Sequence, residues 1–149
     1  KETLPTIAAA SEGEEIVSDY ASMELTLRRH PLALLRPKLA RMNLRSAMEL
    51  DNYPTGRLVR TTGIVTCRQR PGTASGVVFV TLEDETGIIN VVVWNLLVLK
   101  QRRELLNSRL LTVYGVWQCE GEVKHLIAKR LVDHSHLLGE LRVESRDFH

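Results

Sequence analysis

Three residues on two predicted strands have the chemistry to bind a nucleic acid. Phe79 and Thr81 alternate along a β-rich run over 77–83, and Asn90 lies on a second run over 88–94, beyond a short acidic turn. Because successive side chains of a strand point to opposite faces, these three residues can share one outer face. An exposed aromatic ring stacks on a nucleobase for about 1–3 kcal/mol, whatever the base. The pattern predicts a surface for single-stranded nucleic acid, unless N-terminal helices cover Phe79.

Basic residues near the predicted strands are candidate phosphate contacts. Alternation along the first strand would place Arg60 and Arg68 on one face. If these residues neutralise phosphates, the affinity for nucleic acid should fall steeply as salt rises. An ordinary solvated surface accounts for any single basic residue equally well. The full set of basic candidates is Arg57, Arg60, Arg68, Arg70, Arg109, Lys124 and Lys129.

Composition bounds the class of protein. The chain has 149 residues, of which 44% are hydrophobic and 26% charged, with a net charge of +2. Residues 57–149 carry thirteen Lys and Arg against ten Asp and Glu, a weak footprint for a polyanion. No apolar run approaches the roughly 18 residues of a membrane span, so a cytoplasmic protein with no membrane partner is expected. The first residue is not Met, and we expect a piece of a longer protein.

Other chemistry is poorly supported. Cys67 and Cys119 lack a partner at zinc-ligand spacing and are expected to be reduced. The acidic turn at 83–85 resembles a carboxylate metal site only superficially and is expected to be solvated. His134 and His136 have ligand-capable spacing but no third protein ligand, so exposed tail histidines are expected. No nucleophile with a base at definable spacing is present, and no catalytic or metal residue is predicted.

The first 56 residues predict a linker followed by helices. Residues 1–13 are expected to be a linker or mobile tail, and residues 14–56 a helical segment. Apolar spacing predicts one helix over 14–28, and Pro31 begins another that Pro37 should kink or split. The apolar stripe of this second helix consists of Leu32, Leu35, Leu39 and Met42.

A capping signal and a turn cluster end the helical segment. Ser46 with Glu49 three residues later is a capping-box pattern, which predicts a single helical turn over 47–50. Residues 51–56 are rich in Asp, Asn, Pro and Gly and predict a turn. The β-rich part is therefore expected to begin at residue 57.

The period of the pattern then shortens to two, which predicts a mainly β fold with a helical lead-in. One helix is expected over 95–107, and Gly63 is expected to mark a bulge or corner in the first strand. We expect Trp94 and Trp117 to pack in the core. A five-stranded OB-fold barrel over 57–132, with its helix between the third and fourth strands, fits this order. A tail over 133–149 has room for one short helix. The strands are predicted over 58–68, 77–83, 88–94, 110–119 and 122–131.

A family resemblance covers nearly the whole chain. Residues 62–87, from Thr-Gly-Ile-Val-Thr-Cys to Glu-Asp-Glu-Thr-Gly, and the run Asn-Val-Val-Val-Trp at 90–94 resemble the OB region of bacterial C-family DNA polymerase alpha subunits. The Gln-Arg-Pro-Gly-Thr-Ala stretch at 69–74 and the Ser-Arg-Asp-Phe-His ending are similar to the error-prone branch, which is linked to damage-induced mutagenesis. The resemblance implies a parent DNA-directed DNA polymerase whose catalytic carboxylates hold Mg²⁺ in a region upstream of this chain.

The chain itself is then expected to be non-catalytic. We expect it to hold single-stranded template DNA through the first strand, the loop over 69–76 and the face bearing Phe79. The alternative is a protein-interaction module that docks accessory mutagenesis proteins or clamp-associated factors, through the same face or the Leu-rich helix over 32–42. The stretch over 101–106 faintly resembles a sliding-clamp peptide but falls in a predicted helix. An anticodon-type RNA binder is a third, less favoured interpretation.

Overall fold

The computed structural model describes residues 30–71 and 76–147, with side chains described as far as residue 141. The linker predicted over 1–13 and the helix predicted over 14–28 lie outside these residues. The helices are α1 (Pro31–Arg41), α2 (Ala47–Leu50), α3 (Asn95–Lys100), α4 (Arg102–Asn107) and α5 (His136–Asp147). The strands are β1 (Leu58–Gln69), β2 (Val78–Asp84), β3 (Gly87–Val93), β4 (Leu110–Glu120) and β5 (Val123–Asp133). Among the described residues, no helix is long and apolar enough to cross a membrane.

The five strands close into a barrel in the order β1-β2-β3-β5-β4. All neighbouring pairs are antiparallel except β3 and β5, which run parallel where Val91 and Val92 lie opposite Leu126 and Ile127. A closed barrel leaves no strand edge unpaired. The predicted five-stranded OB barrel, with helical structure between the third and fourth strands, is confirmed.

The interior of the barrel follows the alternation of the strands. Val78, Val80 and Leu82 of β2 are buried, while Phe79 between them is exposed. The same core contains Trp117 of β4, as the sequence predicted. Because one face of β2 is buried, its register against the neighbouring strands is fixed, and Phe79 and Thr81 lie on the outer face of the barrel.

A second apolar core lies outside the barrel, where α1 and α5 pack together. Leu32, Leu35 and Leu39 of α1 are buried against Leu110 at the start of β4 and Leu137 of α5. The predicted apolar stripe of α1 is therefore real, and the helix continues through Pro37 without splitting. Because its leucines are covered, α1 does not offer the free docking surface that the sequence suggested.

A bulge in β1 changes which side chains face outward. The register shifts between Val65 and Cys67, two residues after the glycine at which a bulge was expected. Gly63 instead permits a close approach, because a Cβ there would lie 2.8 Å from the Cβ of Leu82. The extra residue inverts the alternation of the strand beyond it.

The helical segment between β3 and β4 is broken at Gln101. The predicted single helix over 95–107 is wrong, because Gln101 has non-helical φ and ψ angles of −121° and 43°. Its side-chain amide donates to the carbonyl of Leu131 at 2.8 Å and accepts from the Leu131 N–H at 2.7 Å. Gln101 thus ties the segment to the backbone of β5, and the chain bends around that attachment.

Helices α1 and α2 begin with side-chain caps. Ser46 accepts from the Glu49 N–H, and Glu49 accepts from the Ser46 N–H at 2.8 Å, so the predicted capping box is confirmed. Nδ1 of His30 accepts from the Leu32 N–H at 3.0 Å at the start of α1. Burial lowers the pKa of His30 below its usual range, although nearby carboxylates, Glu83 first among them, oppose the shift. The cap therefore requires neutral His30.

We expect the free energy of unfolding to fall as pH drops from about 7 to 5, and to fall less in His30→Asn. The unfolded chain takes up a proton near pH 6.5, whereas folded His30 has a lowered pKa, so its contribution is present above that pH and lost below it. Asn keeps a capping acceptor without titrating. His134, whose pKa burial also lowers, leaves a residual slope. Urea unfolding of both proteins across this range measures the difference, and equal slopes would contradict the assignment.

The acidic turn between β2 and β3 is built around a buried carboxylate. Asp84 accepts from the Thr86 N–H and the Ala47 N–H, each at 2.8 Å, and also from the Gly87 N–H. Arg36 of α1 lies 3.5 Å from Asp84 and forms a two-pronged contact with Glu85. The expectation of a solvated turn is therefore wrong. The carboxylate of Asp84 is buried because it accepts hydrogen bonds that join the β2–β3 hairpin to α1 and α2.

Candidate nucleic-acid interface

Phe79, Thr81 and Asn90 meet on the outer surface of β1, β2 and β3. Phe79 lies opposite Gln69 of β1 and Val92 of β3, and Thr81 lies opposite Asn90. Phe79 is 38% exposed, Asn90 is exposed and Thr81 is half-buried. We call this surface the Phe79 face. It presents an aromatic ring beside polar side chains, which is the arrangement that stacking on a base requires.

Trp94 extends the aromatic character of this surface, and the expectation that it packs in the core is wrong. It is 55% exposed, one residue beyond β3, on the outward side that Val92 occupies. Trp94 is the residue before α3, where the chain turns away from the barrel, so its ring does not enter the barrel core. The alternation of the strand could have revealed this, since Val91 and Val93 take the inward positions.

Arg68 does not share a face with Arg60. It lies opposite the buried Val80, because the bulge inverts the alternation between the two arginines. Its guanidinium donates to the carbonyls of Leu105 and Ser108, at 2.7 and 2.5 Å. Burial lowers the pKa of Arg68. Arg68 therefore holds the carboxyl end of α4 against the barrel.

Replacing Arg68 with Met is expected to lower the free energy of unfolding by about 1–2 kcal/mol, since two carbonyls lose a charged donor. Oligonucleotide affinity, corrected for the folded fraction, should change little. Urea unfolding and fluorescence anisotropy measure the two quantities on one sample. A large loss of affinity with unchanged stability would instead return Arg68 to the set of phosphate contacts.

Three further candidates have partners of their own. The Lys124 ammonium lies 3.0 Å from a carboxylate oxygen of Asp51. The guanidinium of Arg57 lies 4.6 Å from the centre of the Tyr53 ring. Arg109 is exposed, and its backbone N–H donates to Ser135 Oγ at 2.8 Å. The carboxylate of Asp51 thus already offsets the charge of Lys124.

The remaining basic candidates are exposed and lie on two surfaces. Arg70 follows Gln69, the residue opposite Phe79, and begins the loop that leads to β2. Arg60 and Lys129 lie on the outer surface of β1 and β5. Within residues 30–71 and 76–141, none of these three forms an ion pair. The structure thus places Arg70 just beyond the end of β1, next to the residue opposite Phe79, and places the other two further round the barrel.

The histidines near the C-terminus do not form a metal site. His134 is half-buried and its Nδ1 lies 2.6 Å from Thr112 Oγ1, so the expectation of an exposed side chain is wrong for it. His136 is exposed and its ring packs edge-on against that of His134. In the described part of the chain, no group of three or more His, Cys, Asp or Glu could hold a metal ion.

The five-stranded barrel agrees with the comparison to known domain families. Residues 51–133 match the model of the OB-fold nucleic acid binding domain. The chain belongs to this family. The match begins at the turn that precedes β1 and ends at the last residue of β5, so the OB domain includes the whole barrel.

Curated relatives of this OB domain are named error-prone DNA polymerase. One, from Ralstonia nicotianae, is 57% identical over 143 residues, which cover 96% of this chain and 13% of the relative. Another, from Alkalilimnicola ehrlichii, is 56% identical over 149 residues, covering the whole chain and 14% of the relative. They confirm the resemblance that the sequence predicted. The chain spans about one seventh of their length.

Solved structures support the fold of the OB domain. Asparaginyl-tRNA synthetase from Pyrococcus horikoshii, complexed with asparaginyl-adenylate, matches with a TM-score of 0.51 and 19% identity. The match covers 61% of this chain and 22% of the synthetase. At that identity, the likeness concerns the barrel alone.

Proposed function

We propose that this OB domain binds single-stranded template DNA within an error-prone DNA polymerase that acts in damage-induced, translesion synthesis. The observation that carries the proposal is the exposure of Phe79 beside Thr81 and Asn90 on a barrel of the nucleic-acid-binding family. The identity of more than half with error-prone polymerases over nearly the whole chain supports the choice of DNA.

The chemistry of the Phe79 face suits a template of any sequence. The ring of Phe79 stacks on a base without reading its edge, because every base has a π-face. Thr81 and Asn90 offer a hydroxyl and an amide within the same face. Arg70, just beyond the end of β1, offers a positive charge to the phosphates of the DNA. Contacts of this kind position a strand without demanding a sequence, as copying damaged DNA requires. Polymerisation and its Mg²⁺ would belong to parts of the polymerase outside this chain.

Fluorescence anisotropy with labelled oligo-dT tests the proposal. The 149-residue chain should bind saturably at low salt and lose affinity as salt rises, because phosphate contacts release counterions. A matching oligo-rU tests the choice of DNA, and tighter binding of the RNA would favour an RNA-binding role. No binding at high micromolar protein would sink the proposal.

One observation favours a second candidate function, the docking of an accessory mutagenesis protein. Leu96 and Leu99 of α3 are 81% and 64% exposed, on one side of a helix that Lys100 ends. Arg102 and Arg103, at the start of α4, are also exposed. Apolar side chains beside basic ones suit an acidic amphipathic segment of a partner. This surface replaces α1 as the candidate docking site, and the clamp-like stretch at 101–106 lies mostly within helical α4.

The double variant Leu96→Ser/Leu99→Ser separates the two functions. Loss of an accessory protein in pull-down, with oligo-dT binding unchanged, would support docking through α3. If this variant still bound the accessory protein, docking through α3 would be excluded. Loss of oligo-dT binding would instead show that DNA, too, passes over α3.

A further inference from the structure

A tyrosine lies between two arginines on the outer surface of β1, β4 and β5. Arg60 of β1 and Arg130 of β5 both lie opposite Tyr114 of β4. Their guanidinium carbons are 5.3 and 5.4 Å from the centre of its ring. Because β1 and β5 flank β4, the arginines approach the ring from opposite sides. We call these three residues the Arg-Tyr-Arg row.

The arginines of the row are not paired with any carboxylate of the described residues. In the described part of the chain, neither Arg60 nor Arg130 forms an ion pair, whereas Arg36, Arg45 and Lys124 do. Exposed Lys129, next to Arg130, adds a third cation. Cation–π contacts with Tyr114 stabilise exposed guanidiniums by only about 0.5–1 kcal/mol each. Clustered cations without an acidic partner are suited to an external anion.

The geometry limits what that anion can be. With a guanidinium on either side, the ring of Tyr114 is not open for stacking on a base. Each guanidinium keeps N–H donors in a planar fork that matches the oxygens of a phosphate. The row is therefore built for the backbone of a nucleic acid, in contrast to the Phe79 face.

We propose that the Arg-Tyr-Arg row is a second nucleic-acid site, which binds the sugar-phosphate backbone of the strand whose bases stack on the Phe79 face. This inference rests on the proposed function for its ligand but uses different residues. Two of the basic residues predicted as phosphate contacts, Arg60 and Lys129, belong to this site. Arg130 and Tyr114 are further members that the sequence did not predict.

The outward positions of β3 and β5 lie between the two sites, and Val92 among them is buried. Val92, opposite Phe79, pairs across the parallel β3–β5 contact with Ile127. Two residues further along each strand, Trp94 and Lys129 are both exposed. From β2 to β4 around this side is three strand spacings, about 15 Å. OB folds bind roughly 4–16 nucleotides, so a long oligonucleotide can reach both sites and a short one only the first.

The test separates the row from the Phe79 face by using a probe without bases. A labelled abasic oligodeoxynucleotide of about 16 units can bind by its backbone but cannot stack, whereas dT of about four units suits the Phe79 face. The salt slope for the abasic strand should fall by about 1.4 in Arg60→Gln/Arg130→Gln, and by about 0.7 in either single variant, since each phosphate contact on a single strand contributes about 0.7. Phe79→Ala should leave the abasic slope unchanged.

A matched control for the single variants is Arg41→Gln, which removes one charge from an exposed position on α1, outside both proposed sites. An equal fall in slope for this control, or no binding of the abasic strand by the wild type, would overturn the second site. Binding of poly-glutamate with the same slope would also overturn it, since a protein partner would then explain the row. Failure of dT to respond to Phe79→Ala contradicts only the Phe79 face.

Discussion

Phe79→Ala is expected to weaken binding of oligo-dT about 5- to 140-fold, the loss of one stacked base at about 1–3 kcal/mol. The ring lies on the outside of β2, and its removal leaves no hole in the barrel core. The free energy of unfolding should therefore change little. Fluorescence anisotropy at fixed low salt measures the affinity, and urea unfolding checks the fold.

Met48→Ala is the matched control for this prediction. Met48 is an exposed apolar side chain on α2, away from the Phe79 face. Its truncation should leave oligo-dT binding unchanged. If both variants lost affinity equally, the loss in Phe79→Ala would not report stacking, and an unchanged affinity in Phe79→Ala would remove the ring from the interface.

Asp84→Ala is expected to lower the free energy of unfolding by about 3–5 kcal/mol. The substitution leaves the N–H groups of Ala47, Thr86 and Gly87 without their acceptor, and it removes a buried charge that Arg36 partly offsets. A loss of this size is a large fraction of the stability of a small domain. Urea unfolding measures it.

Two comparisons make the Asp84 prediction specific. Asp84→Asn keeps one acceptor oxygen and should lose less than Asp84→Ala. Glu120→Ala removes an exposed acid at the end of β4 and should cost less than about 0.5 kcal/mol. A cost below about 1 kcal/mol for Asp84→Ala would contradict its role as the anchor of the β2–β3 turn.

Local rules predicted the elements well because each acts over a few residues. The capping box at Ser46 and Glu49 involves two side chains three positions apart, and it formed as expected. Alternation placed Phe79 outside because only one face of β2 can be buried in a barrel. The break at Gln101 was missed because its partner, Leu131, lies 30 residues away on another strand.

The candidate site was predicted less completely, because it depends on register between strands. A bulge near Val65 moved Arg68 off the face of Arg60, and Gly63, where a bulge or corner was expected, lies two residues before it. The alignment of Arg60, Tyr114 and Arg130 needs two ladders and a second register shift at Gly115. The burial of Asp84 was missed because one of its hydrogen-bond donors, Ala47, belongs to a helix that is distant in sequence.

An NMR titration of the isotope-labelled 149-residue chain with oligo-dT tests the central claim most directly, because it reports where the strand binds. The account predicts saturable shifts in the amides of Phe79, Thr81 and Asn90, with smaller shifts near Tyr114 when the oligonucleotide is long. Shifts confined to α3 and α4, or none at high micromolar DNA, would contradict it.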